Sequence, residues 1–164
     1  NNTDNKAYYS FYTNITDDYK PLKQFLENKN FINLIDNYLN FKSILYSSLT
    51  WFNPPTNEDH YVYRNHRDHD DFKHLGMIIY WTNTDIESGA TRIWEKSHIK
   101  DNQTSIKNIE GPAGTVHLVD FRALHAGTNI KKKERFTTFL RFGKFFNHGT
   151  VIDGWSQTPS LFNK

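Results

Sequence analysis

The sequence predicts a mainly β protein, a sandwich or barrel of short strands with one or two helices packed on its outside near the N-terminus. Three observations carry that expectation. From Ile44 onward, short runs of β-branched and aromatic residues recur at regular intervals. Clusters of Asn, Pro, Gly and Ser separate those runs, which is the chemistry of turns. Helical periodicity is confined to the first quarter of the chain, so helices do not alternate with strands as they would in a parallel α/β fold.

Taken in order, residues 1–18 mix Asn, Asp and Thr with Tyr8, Tyr9, Phe11 and Tyr12, and read as an irregular or edge-strand segment held by aromatic contacts. Pro21 suits the first turn of a helix, and Leu22, Phe25, Leu26, Phe31, Leu34, Ile35, Tyr38 and Leu39 follow at helical spacing. Two short helices broken near Asn28-Lys29-Asn30 are expected. The strand-like runs are Ile44 to Tyr46 with Thr50 to Phe52, then Tyr61 to Tyr63, Leu75 to Trp81, Thr91 to Trp94, Thr115 to Phe121 and Phe136 to Phe142. Turns are expected at Asn53-Pro54-Pro55-Thr56-Asn57, at Asn83-Thr84-Asp85 with Ser88-Gly89, and at Gly111-Pro112-Ala113-Gly114. After Phe146, Gly149, Gly154 and Pro159 with scattered aromatics read as an irregular tail. With no linker and no repeat, the chain reads as one domain over 1–164: an N-terminal segment with helices to residue 42, a core over 43–146 and the tail over 147–164.

Composition narrows the function. The chain has 164 residues, enough for one core and too few for two. Hydrophobic residues make up only 37%, but 16% of the chain is aromatic, and rings bury large areas. Twenty lysines and arginines against 18 acidic residues leave a net charge of +2, and the one basic run is Lys131-Lys132-Lys133, so nucleic-acid binding is not expected. The absence of cysteine excludes disulfides, zinc-thiolate sites and thiol nucleophiles, and fits a cytoplasmic protein. No apolar run is long enough for a bilayer, and Asn1-Asn2-Thr3-Asp4 does not begin a signal peptide. Asn1 in place of a methionine suggests a trimmed chain or a fragment. The sequence carries no signal for an oligomeric state.

One constellation carries chemistry. In an extended segment, residues two apart point the same way, so His66 and Asp68 present an imidazole and a carboxylate on one face. With His125 as the third ligand they would form the 2-His-1-carboxylate facial triad of non-haem Fe(II) oxygenases, which leaves one octahedral face open. A second triplet, His69-Asp70-Asp71, lies directly after the first, and composition does not choose between the two registers. Gly114 to Phe121 and Phe136 to Phe142 are expected to pair as a hairpin through a turn at Gly127 to Glu134, bringing His125 close to Arg135. A planar guanidinium suits the distal carboxylate of a bidentate co-substrate, and Thr137, on the same strand face, could add a hydrogen bond. For each residue the bland reading is a charged surface loop, a hydrogen-bonded turn histidine or an exterior ion pair.

In order and spacing these residues resemble the phytanoyl-CoA dioxygenase-like Fe(II)/2-oxoglutarate oxygenases. The pattern runs through His66-Arg67-Asp68, the strand from Leu75 to the turn ending at Ser88-Gly89, Ser97-His98, Gly111-Pro-Ala-Gly114, Leu118-Val-Asp-Phe121, His125-Ala-Gly127 and Arg135, about half of the chain. The resemblance implies a double-stranded β-helix, a cupin-type jelly roll. It selects the first register, making His66, Asp68 and His125 the Fe(II) ligands and Arg135 the anchor of 2-oxoglutarate, with Asn129 bordering the co-substrate. It implies hydroxylation of an unactivated C–H bond of a small molecule by molecular oxygen, with release of succinate and CO2. Relatives that halogenate have Gly or Ala where this chain has Asp68, so the carboxylate favours hydroxylation. Two departures stand out: Glu95-Lys96 precede Ser97-His98 where many relatives carry Pro-Gly, and Trp81 replaces a Leu. Arg67, Arg92, Trp94 and Trp51 are the candidate substrate-pocket residues. Because the ligands must be deprotonated, iron affinity is expected to fall in mild acid.

Two other readings stay open on the sequence. One is a non-catalytic jelly-roll binding module in which the histidines are incidental. The other is a metal-binding cupin that does not use 2-oxoglutarate, in which loss of the Arg135 side chain would leave activity intact.

Overall fold

The computed structural model describes residues 10–12, 15–56, 63–69, 71–100 and 105–144. Helix α1 (Ile15–Asp18) is a single turn, followed by α2 (Lys20–Leu26) with Pro21 in its first turn and by α3 (Lys29–Leu39). The expected break at Asn28 is a cap. Its side chain accepts from the backbone N–H of Asn30 at 2.9 Å and of Phe31 at 3.3 Å, satisfying two donors that the first turn leaves open. Asn40, left-handed at φ 63°, ends α3.

The strands are β1 (Ser10–Tyr12), β2 (Ile44–Asn53), β3 (Leu75–Tyr80), β4 (Thr91–Trp94), β5 (Ile106–Ile109), β6 (Val116–Val119), β7 (His125–Ala126) and β8 (Arg135–Gly143). They form a five-stranded sheet in the order β1-β2-β8-β3-β6 and a three-stranded sheet in the order β5-β4-β7, with antiparallel pairing throughout. From β3 to β8 the chain crosses repeatedly between the sheets, which is the winding of a double-stranded β-helix. The fold is that jelly roll, with the helices on its outside.

Sheet register sorts the core into two layers. On β8, Phe136, Thr138, Leu140 and Phe142 alternate with Arg135, Thr137, Phe139 and Arg141. Leu140 and Phe142 pack with Leu45, Leu75, Met77 and Ile79 against Leu22, Leu26, Ile35 and Leu39 of the helices. The other face looks into the sandwich, where Phe139 joins Ile78, Tyr80, Ile93, Ile109, Val119 and Phe121. Arg135, Thr137 and Arg141 therefore share the inner face.

The structure corrects three expectations. β2 is one continuous strand rather than two runs, with a bulge between Leu45 and Ser47. β5 was not anticipated: its exposed Ile106, Lys107 and Asn108 carry no apolar alternation. The expected hairpin is absent. β6 pairs with β3, and β3 lies between β6 and β8. His125 belongs to the small sheet and Arg135 to the large one, so residues 127–134 cross the sandwich instead of turning within a sheet. Of the expected strand at Tyr61 to Tyr63, residues 61 and 62 lie outside the described residues, as does the tail over 147–164. Among the described residues no helix is long and apolar enough to cross a membrane.

Candidate metal centre

His66 and His125 meet through their backbones. Each donates its N–H to the other's carbonyl at 2.9 Å, a directly opposed antiparallel pair that extends the small sheet beyond β7. Directly opposed residues project to the same side, and the ring centroids lie 4.2 Å apart. Asp68, two residues on in the extended segment, donates its N–H to Phe121 O at 3.0 Å and turns its carboxylate to the same side. Its Oδ1 lies 3.8 Å from Nε2 of His66 and 3.7 Å from Nε2 of His125, and the three ligand atoms fall within 4.8 Å of one another. Neighbouring ligands on a cation with bonds of about 2.1 Å sit about 3 Å apart, so closing on an ion needs movements of less than about 1 Å.

Both imidazoles are oriented by the same device. Nδ1 of His66 is 2.8 Å from Arg64 O and Nδ1 of His125 is 2.9 Å from Ala123 O, in each case the carbonyl two residues back. A carbonyl only accepts, so Nδ1 carries the proton and the Nε2 lone pair faces the cluster. Burial pushes the His125 imidazole down to about 4, against the opposing pull of the Asp68 carboxylate. His125 is therefore neutral through mild acid, and the expected loss of ligand character there shifts to lower pH for this residue.

Asp68 gives its second oxygen to Arg141, whose Nη2 is 2.9 Å from Oδ2. Burial on its own would raise the Asp68 carboxyl, but the charge of Arg141, with smaller effects from His125, His66 and His74, outweighs it and holds the carboxyl below its usual range. Sequence reasoning missed Arg141. Its signal was the period-two run 135, 137, 139, 141.

Arg135 is buried on the inner face. Its Nε and Nη2 donate to Asn53 Oδ1 at 3.4 and 3.2 Å, and its Nη1 donates to Gly89 O. Among the described residues it pairs with no carboxylate, and burial lowers its pKa, with Tyr80 and Tyr63 acting the other way. Thr137 is fully buried two residues along, and its hydroxyl makes no hydrogen bond among the described residues. Among the described residues Arg135 is thus a buried cation with only neutral partners beside an unused hydroxyl, an arrangement that would suit an anion. Asn53, expected only as a turn residue, is the register partner of Arg135.

The remaining candidates divide. Trp51 faces inward opposite Thr137, its ring 4.9 Å from that of Phe139. Asn129 is half-buried in the connection between β7 and β8. Ile93 is the register partner of His125, so Arg92 and Trp94, its neighbours on β4, point to the opposite face of the small sheet. Arg67 alternates with the two ligands beside it and donates Nη1 to Ser97 O at 2.7 Å and Arg122 O at 2.6 Å. In the second triplet His69 is exposed, Asp71 accepts from the backbone N–H of Phe72 and Lys144, and Asp70 lies outside the described residues.

Fold and cluster together describe a jelly roll whose inner face brings two imidazoles and one carboxylate to a point able to hold one metal ion. No family model matches the sequence, and no curated protein matches it. Solved structures share its fold. One is the non-haem α-ketoglutarate-dependent epimerase SnoN from nogalamycin biosynthesis, with a TM-score of 0.68 and 12% identity, covering 93% of this chain and 71% of SnoN. HygX from Streptomyces hygroscopicus, solved with nickel, 2-oxoglutarate and hygromycin B bound, gives 0.62 at 10% identity over 93% of this chain and 80% of its own. EctD from S. alaskensis, solved with 2-oxoglutarate and 5-hydroxyectoine, gives 0.61 at 16% over 83% of this chain, which spans 56% of EctD. At such identities the likeness is one of fold.

Proposed function

We propose that this chain is an Fe(II)- and 2-oxoglutarate-dependent dioxygenase of the phytanoyl-CoA dioxygenase-like type, a single cytoplasmic domain that hydroxylates an unactivated C–H bond of a small molecule. The observation that carries the reading is that the His66–Asp68–His125 cluster, against the small sheet, shares the sandwich interior with the buried guanidinium of Arg135 and the unused hydroxyl of Thr137 on the large one. A metal site alone fits many cupins. A metal site with an anion receptor at the start of β8 fits a co-substrate that chelates at one end and carries a carboxylate at the other.

The donor set suits Fe(II): two neutral imidazoles and one carboxylate, with Asp68 offering Oδ1 while Arg141 retains Oδ2. Bound there with 2-oxoglutarate and O2, iron supplies the oxidising chemistry, and succinate and CO2 are released. The residues of the chain do the rest. His66 and His125 keep their lone pairs inward through their Nδ1 hydrogen bonds. Arg135 and Thr137 receive the distal carboxylate, with Asn129 nearby, and Phe121, Phe139 and Trp51 form an aromatic wall that keeps water from the inner face. Asp68 occupies the place that halogenating relatives leave without a carboxylate, which supports hydroxylation.

Anaerobic titration tests the proposal. Fe(II) and then 2-oxoglutarate are added to the protein, and a weak visible charge-transfer band is expected only with both. A binding module would give no band, and a cupin that does not use 2-oxoglutarate would bind metal with no response to the co-substrate.

A further inference from the structure

The geometry points to Ser97 as a positioning residue for the metal centre, holding both ligand-bearing segments from a loop that contributes no ligand; the inference rests on the metal-site reading above. Ser97 follows β4 in the turn over 95–99 and is 4% exposed. β4 and β7 pair at Arg92 with Ala126 and at Ile93 with His125. One step further, Trp94 N–H donates to Leu124 O at 2.9 Å. The return bond, from Leu124 N–H to Trp94 O, is relayed instead. Leu124 N–H donates to Ser97 Oγ at 2.7 Å, and Ser97 Oγ donates to Trp94 O at 2.7 Å.

A serine hydroxyl is thus inserted into the ladder at the residue before His125. A direct bond would close N to O at about 2.9 Å, so removing the hydroxyl either draws Leu124 toward β4 or leaves the part-buried Leu124 N–H without its acceptor, while Trp94 O keeps the bond from the Ser97 backbone N–H at 3.3 Å. Ser97 also acts on the other segment. Its carbonyl accepts from Nη1 of Arg67, the residue between His66 and Asp68, and the same nitrogen donates to Arg122 O in the chain leading to His125. Arg67 is by this geometry a strut of the site. Ser97 fixes how far the His66–Asp68 segment stands from His125, and a cluster whose ligand atoms must close by less than about 1 Å is sensitive to that spacing.

The test compares wild type, Ser97→Ala, Ser97→Thr and Arg67→Gln by Co(II) titration, with the visible Co(II) spectrum as a signature of ligand geometry. Leu124 amide hydrogen exchange is measured in metal-free protein. Ser97→Ala is expected to weaken Co(II) about 10- to 100-fold, the range for groups that orient metal ligands, to alter the spectrum, and to speed Leu124 exchange. Ser97→Thr keeps the hydroxyl and is expected to restore Co(II) affinity to within about threefold of wild type. Should Ser97→Ala fail to fold, Arg67→Gln carries the test by removing the other arm, with weaker Co(II) binding and Leu124 still protected. The assignment is overturned if Ser97→Ala binds Co(II) as wild type does with an unchanged spectrum, if Ser97→Thr is as weak as Ser97→Ala, or if Leu124 exchange does not respond. Failure of the metal-site reading looks different: wild type then takes up no Co(II), and His125→Ala is indistinguishable from it.

Discussion

Asp68 and Arg141 form an ion pair on the inner face, Nη2 to Oδ2 at 2.9 Å, while the other carboxylate oxygen stands between the two imidazoles. Their side chains are only 14% and 18% exposed, so neither charge is well served by water. Breaking such a pair from one side strands the other charge. Arg141→Leu is expected to destabilise the metal-free protein by about 2–4 kcal/mol, and by less with a divalent cation bound, because the cation supplies the missing positive charge. Urea unfolding with and without Zn(II) measures both, and an equal loss in the two would argue against a shared carboxylate.

Arg135 and Thr137 are expected to separate co-substrate binding from metal binding. Arg135→Ala should weaken 2-oxoglutarate by roughly 30- to 1,000-fold, the range for truncating a buried charged partner, and Thr137→Val by roughly fivefold, about one neutral hydrogen bond. Co(II) affinity should be unchanged in both. Calorimetric titration of each ligand in turn gives the answer.

His125 sets a pH dependence with a definite sign. The unfolded chain takes a proton at this residue as pH falls below 6.5, whereas the folded chain does so only near 4. Protons are bound preferentially by the unfolded state in that window, so stability falls as pH drops from about 6.5 to about 4 and levels off below it, with up to about 3 kcal/mol at stake. Denaturant unfolding across this range in metal-free protein should lose part of its slope in His125→Gln.

Gly76 supports the cluster by having no side chain. A Cβ there would lie 2.2 and 2.3 Å from ring carbons of Phe121, whose ring meets His125 edge-on at 4.8 Å between centroids. Gly76→Ala is expected to cost about 1–3 kcal/mol and to weaken Co(II) binding by displacing that ring. Phe121→Leu added to Gly76→Ala should recover stability, which thermal melts of the single and double variants would reveal.

Lys96, in the turn after β4, is left-handed at φ 61°. A lysine side chain disfavours that backbone by about 1 kcal/mol or more, and glycine does not. Lys96→Gly should therefore stabilise the protein by up to about 1 kcal/mol, read as a raised urea midpoint at unchanged m-value.

Much of this was legible because it is local. The stripe from Leu22 to Leu39 gave the helices, and short runs of β-branched and aromatic residues gave Leu75 to Tyr80 and Arg135 to Gly143 almost to the residue. His66 and Asp68 share a face for the same local reason. What failed depends on partners far along the chain. The runs that became β6 and β8 looked like a hairpin, yet β7 intervenes in the chain and β3 takes the place between them in the sheet, since strand order in a jelly roll is set by crossings that no short window contains. The contacts of Arg141, Asn53 and Ser97 were not foreseen for a related reason: each bonds a residue on another strand or segment, Asp68, Arg135 and Leu124, and no spacing rule links those pairs.

The mutual backbone bonds of His66 and His125 join segments from opposite ends of the jelly-roll core. β3 to β6 lie between them in the chain, so the three side chains of the cluster stand together when both sheets are in place. Uptake of a cation by all three groups would then report the assembled core. The nearby pair at 66 and 68 would on its own offer two ligands instead of three.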